Sequence, residues 1–135
     1  MVLSGNPVQP IERSSSSSQN NQLNTDRAWV EVNHAAVYDN VKIIKALLSP
    51  TTRLMAVVKA DAYGHGAVTV AKTVLDAGGE ALAVATLQEG IDLRLADIDA
   101  PILVLGAINT IEEIQALSLW NLEATICSPE QAQVF

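Results

Sequence analysis

Four short apolar runs, each followed by a segment of helical period, restrict what this chain can fold into more than any other feature. They are "LMAVV" (Leu54 to Val58), "ALAVA" (Ala81 to Ala85), "ILVL" (Ile102 to Leu105) and "LEATI" (Leu122 to Ile126). Apolar positions that run on rather than alternate indicate strands covered on both faces. Spacing that leaves room for a crossover helix indicates a parallel sheet. The helix starts are signalled separately. Thr86 has Glu89 three positions on, Thr110 has Glu113, and Ser128 has Pro129 and then Gln131. In such capping patterns a hydroxyl and a carboxylate or amide satisfy backbone N–H groups that a helix start leaves without partners. Ala67, Ala71, Val74 and Leu75 form one expected helix stripe, and Leu87, Ile91, Leu95 and Ile98 the next, with Gly78 and Gly79 as a helix end and turn.

The fold class is therefore α/β with parallel strands. An open doubly wound sheet and a (β/α)8 TIM-type barrel both remain open, and the near-regular unit length leans towards the barrel. A barrel needs eight units and about 250 residues. The chain of 135 residues supplies four units, so it reads as a truncated first half of a longer protein. Ahead of the units, "AWVEVN" (Ala28 to Asn33) alternates like a strand, and Val37, Val41, Ile44 and Leu48 follow at helical spacing. Residues 1–25 include "SSSSSQNNQ", a tract too polar to offset the entropy of ordering, and are expected to be a disordered tail before a domain over 26–135.

Composition excludes several classes of function. The formal net charge is -7, with no Lys/Arg cluster, which argues against a nucleic-acid surface or an anionic-membrane anchor. No secretory signal and no stretch of eighteen apolar residues is visible, so a cytoplasmic location is expected. Cys127 is the single cysteine and is expected to be a buried, inert thiol. Two histidines far apart and no cysteine pair give no metal-ligand spacing, so no metal site is expected.

Chemistry concentrates in "AVVKADAYGHGAV", Ala56 to Val68. Lys59 stands at the carboxyl end of the first core strand, where parallel sheets gather their ligands. If it continues that strand, it shares a face with Met55 and Val57 while Ala56 and Val58 face the helices. One reading makes Lys59 a strand-end lysine that snorkels to water or pairs with a carboxylate. The other makes it a nucleophilic amine. An ammonium must shed its proton to attack a carbonyl, at a cost of about 4.6 kcal/mol at pH 7. Apolar surroundings or a resting covalent link to an aldehyde cofactor removes much of that cost. Tyr63 is either a rim aromatic packed on the next helix or a phosphate donor. Gly64 and Gly66 allow close approach of backbone to a ligand, and His65 between them serves the helix start or touches a cofactor. His34 caps or faces solvent at the first helix. Glu123 is expected to be solvated, and Glu80, Glu89, Asp92, Arg94 and Asp97 to be helix-end and surface charges.

The stretch from Met55 to Arg94, with V-K-A-D-A-Y-G-H-G at its head, resembles the first part of the alanine racemase family. "WVEVNHAAVYDNVKIIKALL" and "APILVLGA" extend the likeness over about Asp26 to Phe135. The resemblance implies the N-terminal half of a TIM-type barrel that binds pyridoxal 5'-phosphate. Lys59 would be the Schiff-base lysine and one of two proton-transfer bases, and Tyr63 would hydrogen-bond the cofactor phosphate. It also implies interconversion of L- and D-alanine for peptidoglycan by a homodimer, with a second base, a tyrosine, beyond residue 135. On this expectation the isolated chain is inactive or nearly so. The alternatives are a non-catalytic pyridoxal-phosphate-binding protein on the same barrel, and a structural fragment with no ligand.

Overall fold

The structure, a computed structural model, describes residues 30–133. The expected tail at 1–25 lies outside them, as does most of the expected strand from Ala28. Val30 to Asn33, the described remainder of that strand, joins no sheet.

The first element is α1 (His34–Leu47), capped by Asn33, whose side-chain oxygen accepts from the Ala36 N–H at 3.0 Å. Val41 is its buried residue, whereas Ile44, expected on the same stripe, is 45 % exposed. His34 does not cap. Its Nδ1 is buried with no hydrogen-bond partner among the described residues. The chain then passes through β1 (Met55–Val57), α2 (Lys59–Gly64), α3 (Ala67–Asp76), β2 (Ala81–Val84), α4 (Leu87–Leu95) and β3 (Ile102–Val104), and ends with α5 (Ile111–Leu119), β4 (Glu123–Ala124) and α6 (Pro129–Ala132).

The strands form one parallel sheet in the order β1-β2-β3-β4. Each crossover steps to the next neighbour in the same direction, as in a barrel wall. A doubly wound sheet would reverse its order and place helices on both faces. Here one buried cluster joins Val41 of α1, Ala71 and Val74 of α3, Leu93 of α4 and Leu117 of α5 to Val58, Leu82, Val84, Ile102 and Val104. The register explains this. Ala56, Leu82 and Ile102 stand in one row, and Val84, Val104 and Ala124 in another, so the large branched side chains share the helix-covered face. Met55 and Ala81 form a row on the other face, as do Val57, Ala83, Leu103 and Glu123. Met55 is 39 % and Val57 42 % exposed there. Coverage of both faces, which the apolar runs suggest, therefore holds for β2 and not for β1.

The capping patterns form as expected at Thr86 and Thr110, each with a reciprocal carboxylate from Glu89 or Glu113. Ser128 caps α6, but Gln131 turns elsewhere, accepting from the Cys127 N–H and donating to the Ile108 carbonyl. In and just after α4 the expected stripe holds in part: Ile98 is buried and Leu87 packs against the core, but Leu95 is 66 % exposed, and Gly90 and Leu93 are the buried residues of the helix.

Two charges expected at the surface are structural ties. Glu80 Oε2 accepts from Lys45 Nζ and from the Leu54 N–H, both at 2.9 Å, joining α1 to the start of β1. The Arg94 guanidinium, half-buried, donates to four carbonyls: Ile98, Ala100 at 2.8 Å, Trp120 at 3.0 Å and Asn121 at 2.7 Å. It binds the end of α4 to the turn after α5. Asp97 and Asn121, which close these two helices, sit at φ 59° and 51°, the left-handed conformation common one residue past a helix end.

Among the described residues no helix is long and apolar enough to cross a membrane. Nor does any group of three or more His, Cys, Asp or Glu side chains among them have the arrangement to hold a metal ion. Cys127 is exposed. The expectation of a buried thiol fails because β4 ends at Ala124, which leaves the cysteine in the loop before α6.

Candidate active site

β1 ends one step earlier than its apolar run. Val58 still donates its N–H to the Ala83 carbonyl at 2.8 Å and is 1 % exposed, but its backbone (φ -117°, ψ 21°) has left the extended region. Strand alternation thus stops before Lys59, and the expectation that Lys59 shares the face of Met55 and Val57 by alternation does not carry to it. Lys59 instead opens α2, half-buried at the carboxyl end of β1.

The four residues after Lys59 are left-handed. Ala60, Asp61, Ala62 and Tyr63 lie at φ 50°, 54°, 51° and 57°, each with ψ between 38° and 50°. For L-residues this conformation brings Cβ against the next carbonyl at about 1–2 kcal/mol per residue. Four in succession therefore cost about 4–8 kcal/mol on the same scale, which local contacts must offset. Gly64 and Gly66 continue at φ 83° and 87°, where the missing Cβ removes the penalty.

Four sets of contacts hold the turn. Inside it, the Ala62 N–H donates to the Val58 carbonyl at 2.9 Å and the Gly66 N–H to the Asp61 carbonyl at 3.0 Å. Asp61 Oδ1 accepts the Ala67 N–H at 2.7 Å, so a side chain within the turn serves the first donor of α3. The His65 Nδ1–H donates to the Ala62 carbonyl at 3.0 Å and the Tyr63 carbonyl at 3.2 Å, which assigns the proton to that nitrogen. His65 thereby closes the turn, and the helix-start role expected of it belongs to Asp61. The fourth contact comes from α4. Glu89 Oε1 accepts the Ala60 N–H at 2.7 Å, while its Oε2 accepts the N–H groups of Ala85 at 2.7 Å and Thr86 at 3.0 Å. Partial burial pushes the Glu89 carboxyl up. The three backbone donors and the charge of Lys59 outweigh this and hold it below the ordinary carboxylate value.

Tyr63, the last left-handed residue, is 62 % exposed rather than packed on the following helix. The structure thus brings Lys59 and Tyr63 onto one short turn at the carboxyl end of the sheet. A cavity of about 250 Å³ lies beside the turn, walled by Val58, Val84 and Leu93 with Asp61, Glu89 and Asp92. Its apolar wall belongs to the helix-covered face. A larger one, about 490 Å³, is lined by Leu117, Leu122 and Ala124 near the β4 edge, three strands from Lys59. Neither lies on the open face that carries Met55 and Val57. Sequence reasoning missed the part of Glu89. Its capping pattern is visible, but no local signal marks a bond to a residue in the preceding unit.

A singly wound parallel β/α sheet with a lysine just past the carboxyl end of its first strand defines the wall of a barrel-type domain. The profile of the alanine racemase N-terminal domain matches residues 32–135. The chain is 62 % identical over 109 residues to the alanine racemase of Synechocystis sp., covering 81 % of this chain and 29 % of that protein. It is 61 % identical over 111 residues to that of Nostoc sp., covering 82 % and 29 %. Among solved structures, the alanine racemase of Bacillus anthracis with bound L-Ala-P superposes with a TM-score of 0.73 at 43 % identity, over 78 % of this chain and 27 % of that one. The chain belongs to the alanine racemase family. It spans less than a third of the length of these relatives.

Proposed function

We propose that this chain is the lysine-bearing part of an enzyme that interconverts L- and D-alanine with pyridoxal 5'-phosphate, covalently held at Lys59. The observation that carries the reading is the position of Lys59. This residue sits at the carboxyl end of β1, half-buried, ahead of a left-handed turn fixed from both α3 and α4. The donor set suits the cofactor: a primary amine for its aldehyde, and an exposed phenol four residues on for its phosphate. Gly64 and Gly66, whose absent Cβ atoms would meet nothing within 4 Å, leave backbone open beside them.

When bound, pyridoxal phosphate supplies an electron sink that weakens the Cα–H bond of an attached amino acid. Lys59, its amine free while the amino acid is attached in its place, would act as a base on one face of that carbon, taking or returning the proton at Nζ. Tyr63 would help to orient the group through a hydrogen bond from its hydroxyl to the phosphate. Inversion needs a proton from the opposite face, which one amine on a constrained turn does not reach. A second acid–base group, a tyrosine from a partner subunit in a homodimer, serves that face. The isolated chain is accordingly expected not to racemise alanine. The cytoplasm and the supply of D-alanine to peptidoglycan are the setting this reading implies.

Titration of the protein with pyridoxal phosphate tests the core of the proposal. A visible absorption band should appear, borohydride should trap it, and the modified residue should be Lys59. Lys59→Ala should abolish all three, and equal labelling of wild type and variant sinks the assignment. If the band forms but the complete protein containing this chain leaves L-alanine unchanged, the non-catalytic cofactor-binding reading takes its place.

A further inference from the structure

We propose that Glu89 is a positioning residue for Lys59, acting through the backbone of Ala60 while it caps α4. The inference rests on the reading of Lys59 as the cofactor-bearing amine. Its geometry is independent of that reading. The two carboxylate oxygens divide their work: Oε2 takes the Ala85 and Thr86 N–H groups at the start of α4, and Oε1 takes the Ala60 N–H at 2.7 Å. Ala60 is the residue peptide-bonded to Lys59 and the first of the four left-handed residues. Among the described residues, Glu89 supplies the side-chain contact that ties this end of the turn to the neighbouring β/α unit. Without it the peptide after Lys59 loses its fixed orientation, and the turn loses part of what offsets its steric cost.

Every partner of Glu89 at this junction is an N–H donor, so the site requires acceptors on both oxygens. Glutamine cannot supply them. Its amide NH2 would face either Ala60 or the Ala85–Thr86 pair, donor against donor. A helix cap alone has no such requirement at Ala60.

The experiment compares wild type, Glu89→Gln, Thr86→Ala and Lys59→Ala in the full-length protein, by pyridoxal phosphate titration. The reaction followed is the condensation of the Lys59 amine with the cofactor aldehyde. A carbon–nitrogen double bond forms, the aldehyde oxygen leaves as water, and the amine nitrogen's two protons go to that water. Glu89→Gln is expected to weaken the apparent affinity about tenfold, the scale set by leaving one charged acceptor contact unmade. Thr86→Ala removes the other half of the capping box and lowers the unfolding midpoint, but leaves the Ala60 contact and is expected to bind as wild type. Equal weakening in both variants, or none in Glu89→Gln, overturns the proposal. Amide exchange in wild type adds a readout that does not depend on a variant folding. The Ala60 N–H is expected to be protected at neutral pH, and exchange at the rate of free solvent-exposed amide overturns the proposal. If Lys59→Ala labels as wild type does, the reading of Lys59 fails while Ala60 protection still decides the part of Glu89.

Discussion

Replacing Arg94 with alanine should destabilise this domain more than any other single change at a charged residue outside the site. The guanidinium donates to the carbonyls of Ile98, Ala100, Trp120 and Asn121, gathering two helix ends and the approach to β3 on one fork. Hydrogen bonds from a charged donor contribute about 1.5–3 kcal/mol each when truncation strands the acceptor. The site is half-buried, so water reaches some of the four carbonyls after truncation. A net loss of about 3 kcal/mol is expected, from one or two acceptors left dry. With a urea m-value of about 1–3 kcal/mol per molar, the unfolding midpoint should fall by about 1–3 M. Urea unfolding followed by tryptophan fluorescence measures this directly, since Trp120 contributes one of the carbonyls. Arg94→Lys keeps the charge but not the planar fork, and should recover less than half of the loss. A midpoint for Arg94→Ala that corresponds to a change below about 0.5 kcal/mol, the range of ordinary surface substitutions, would refute the reasoning.

Three further perturbations have definite expected outcomes. A Cβ at Gly106 would stand 2.4 Å from the Ala85 carbonyl oxygen, which is itself held by the Gly106 N–H at 3.0 Å. Gly106→Ala should therefore cost about 1–3 kcal/mol, as overpacking does, and differential scanning calorimetry would show the lowered midpoint. Because Cys127 is exposed, a thiol reagent should modify it stoichiometrically in the native protein, and protection until denaturant is added would contradict the structure. The Glu89 carboxyl is held below its ordinary value of 4.5, so its contribution to folding is present above that pH and is lost as pH falls through the lower folded value. Acid unfolding should accordingly begin below about pH 4.5 and be shallower in Glu89→Gln; an identical pH profile in the two proteins would count against the contact.

The parts of the fold that are legible in sequence are those in which the cause lies within a few residues of the effect. Thr86 and Thr110 cap because a hydroxyl and a carboxylate three positions apart meet on any helix start. The apolar runs locate all four strands for the same reason, though Val58, Leu105 and Ile126 fall outside the paired residues. Continuity of the runs does not reveal the asymmetry of the sheet. The alternation of Leu82 and Val84 with Ala81 and Ala83 is one of side-chain volume, and all four are apolar. Arg94 and Glu89 read as surface charges because the partners that make them ties between units, Trp120, Asn121 and Ala60, lie 26–29 residues away and are backbone groups, which carry no sequence signal. The left-handed turn is illegible for a sharper reason. Nothing in Ala-Asp-Ala-Tyr favours positive φ beyond the tolerance of aspartate, and the contacts from Glu89, Asp61 and His65, with the turn's own backbone bonds, select it. Lys59 stands out because a cation after an apolar run is conspicuous, yet the turn that presents it does not.

Reflected in a mirror, the segment from Ala60 to Tyr63 would be an ordinary turn of right-handed helix, so its backbone suits residues of opposite chirality. Ala60 is exposed, and inverting its stereocentre would move a methyl group in solvent while removing the clash with the following carbonyl. A semisynthetic protein with D-alanine at position 60 should unfold at a higher temperature than the natural chain, in which that strain persists beside the lysine.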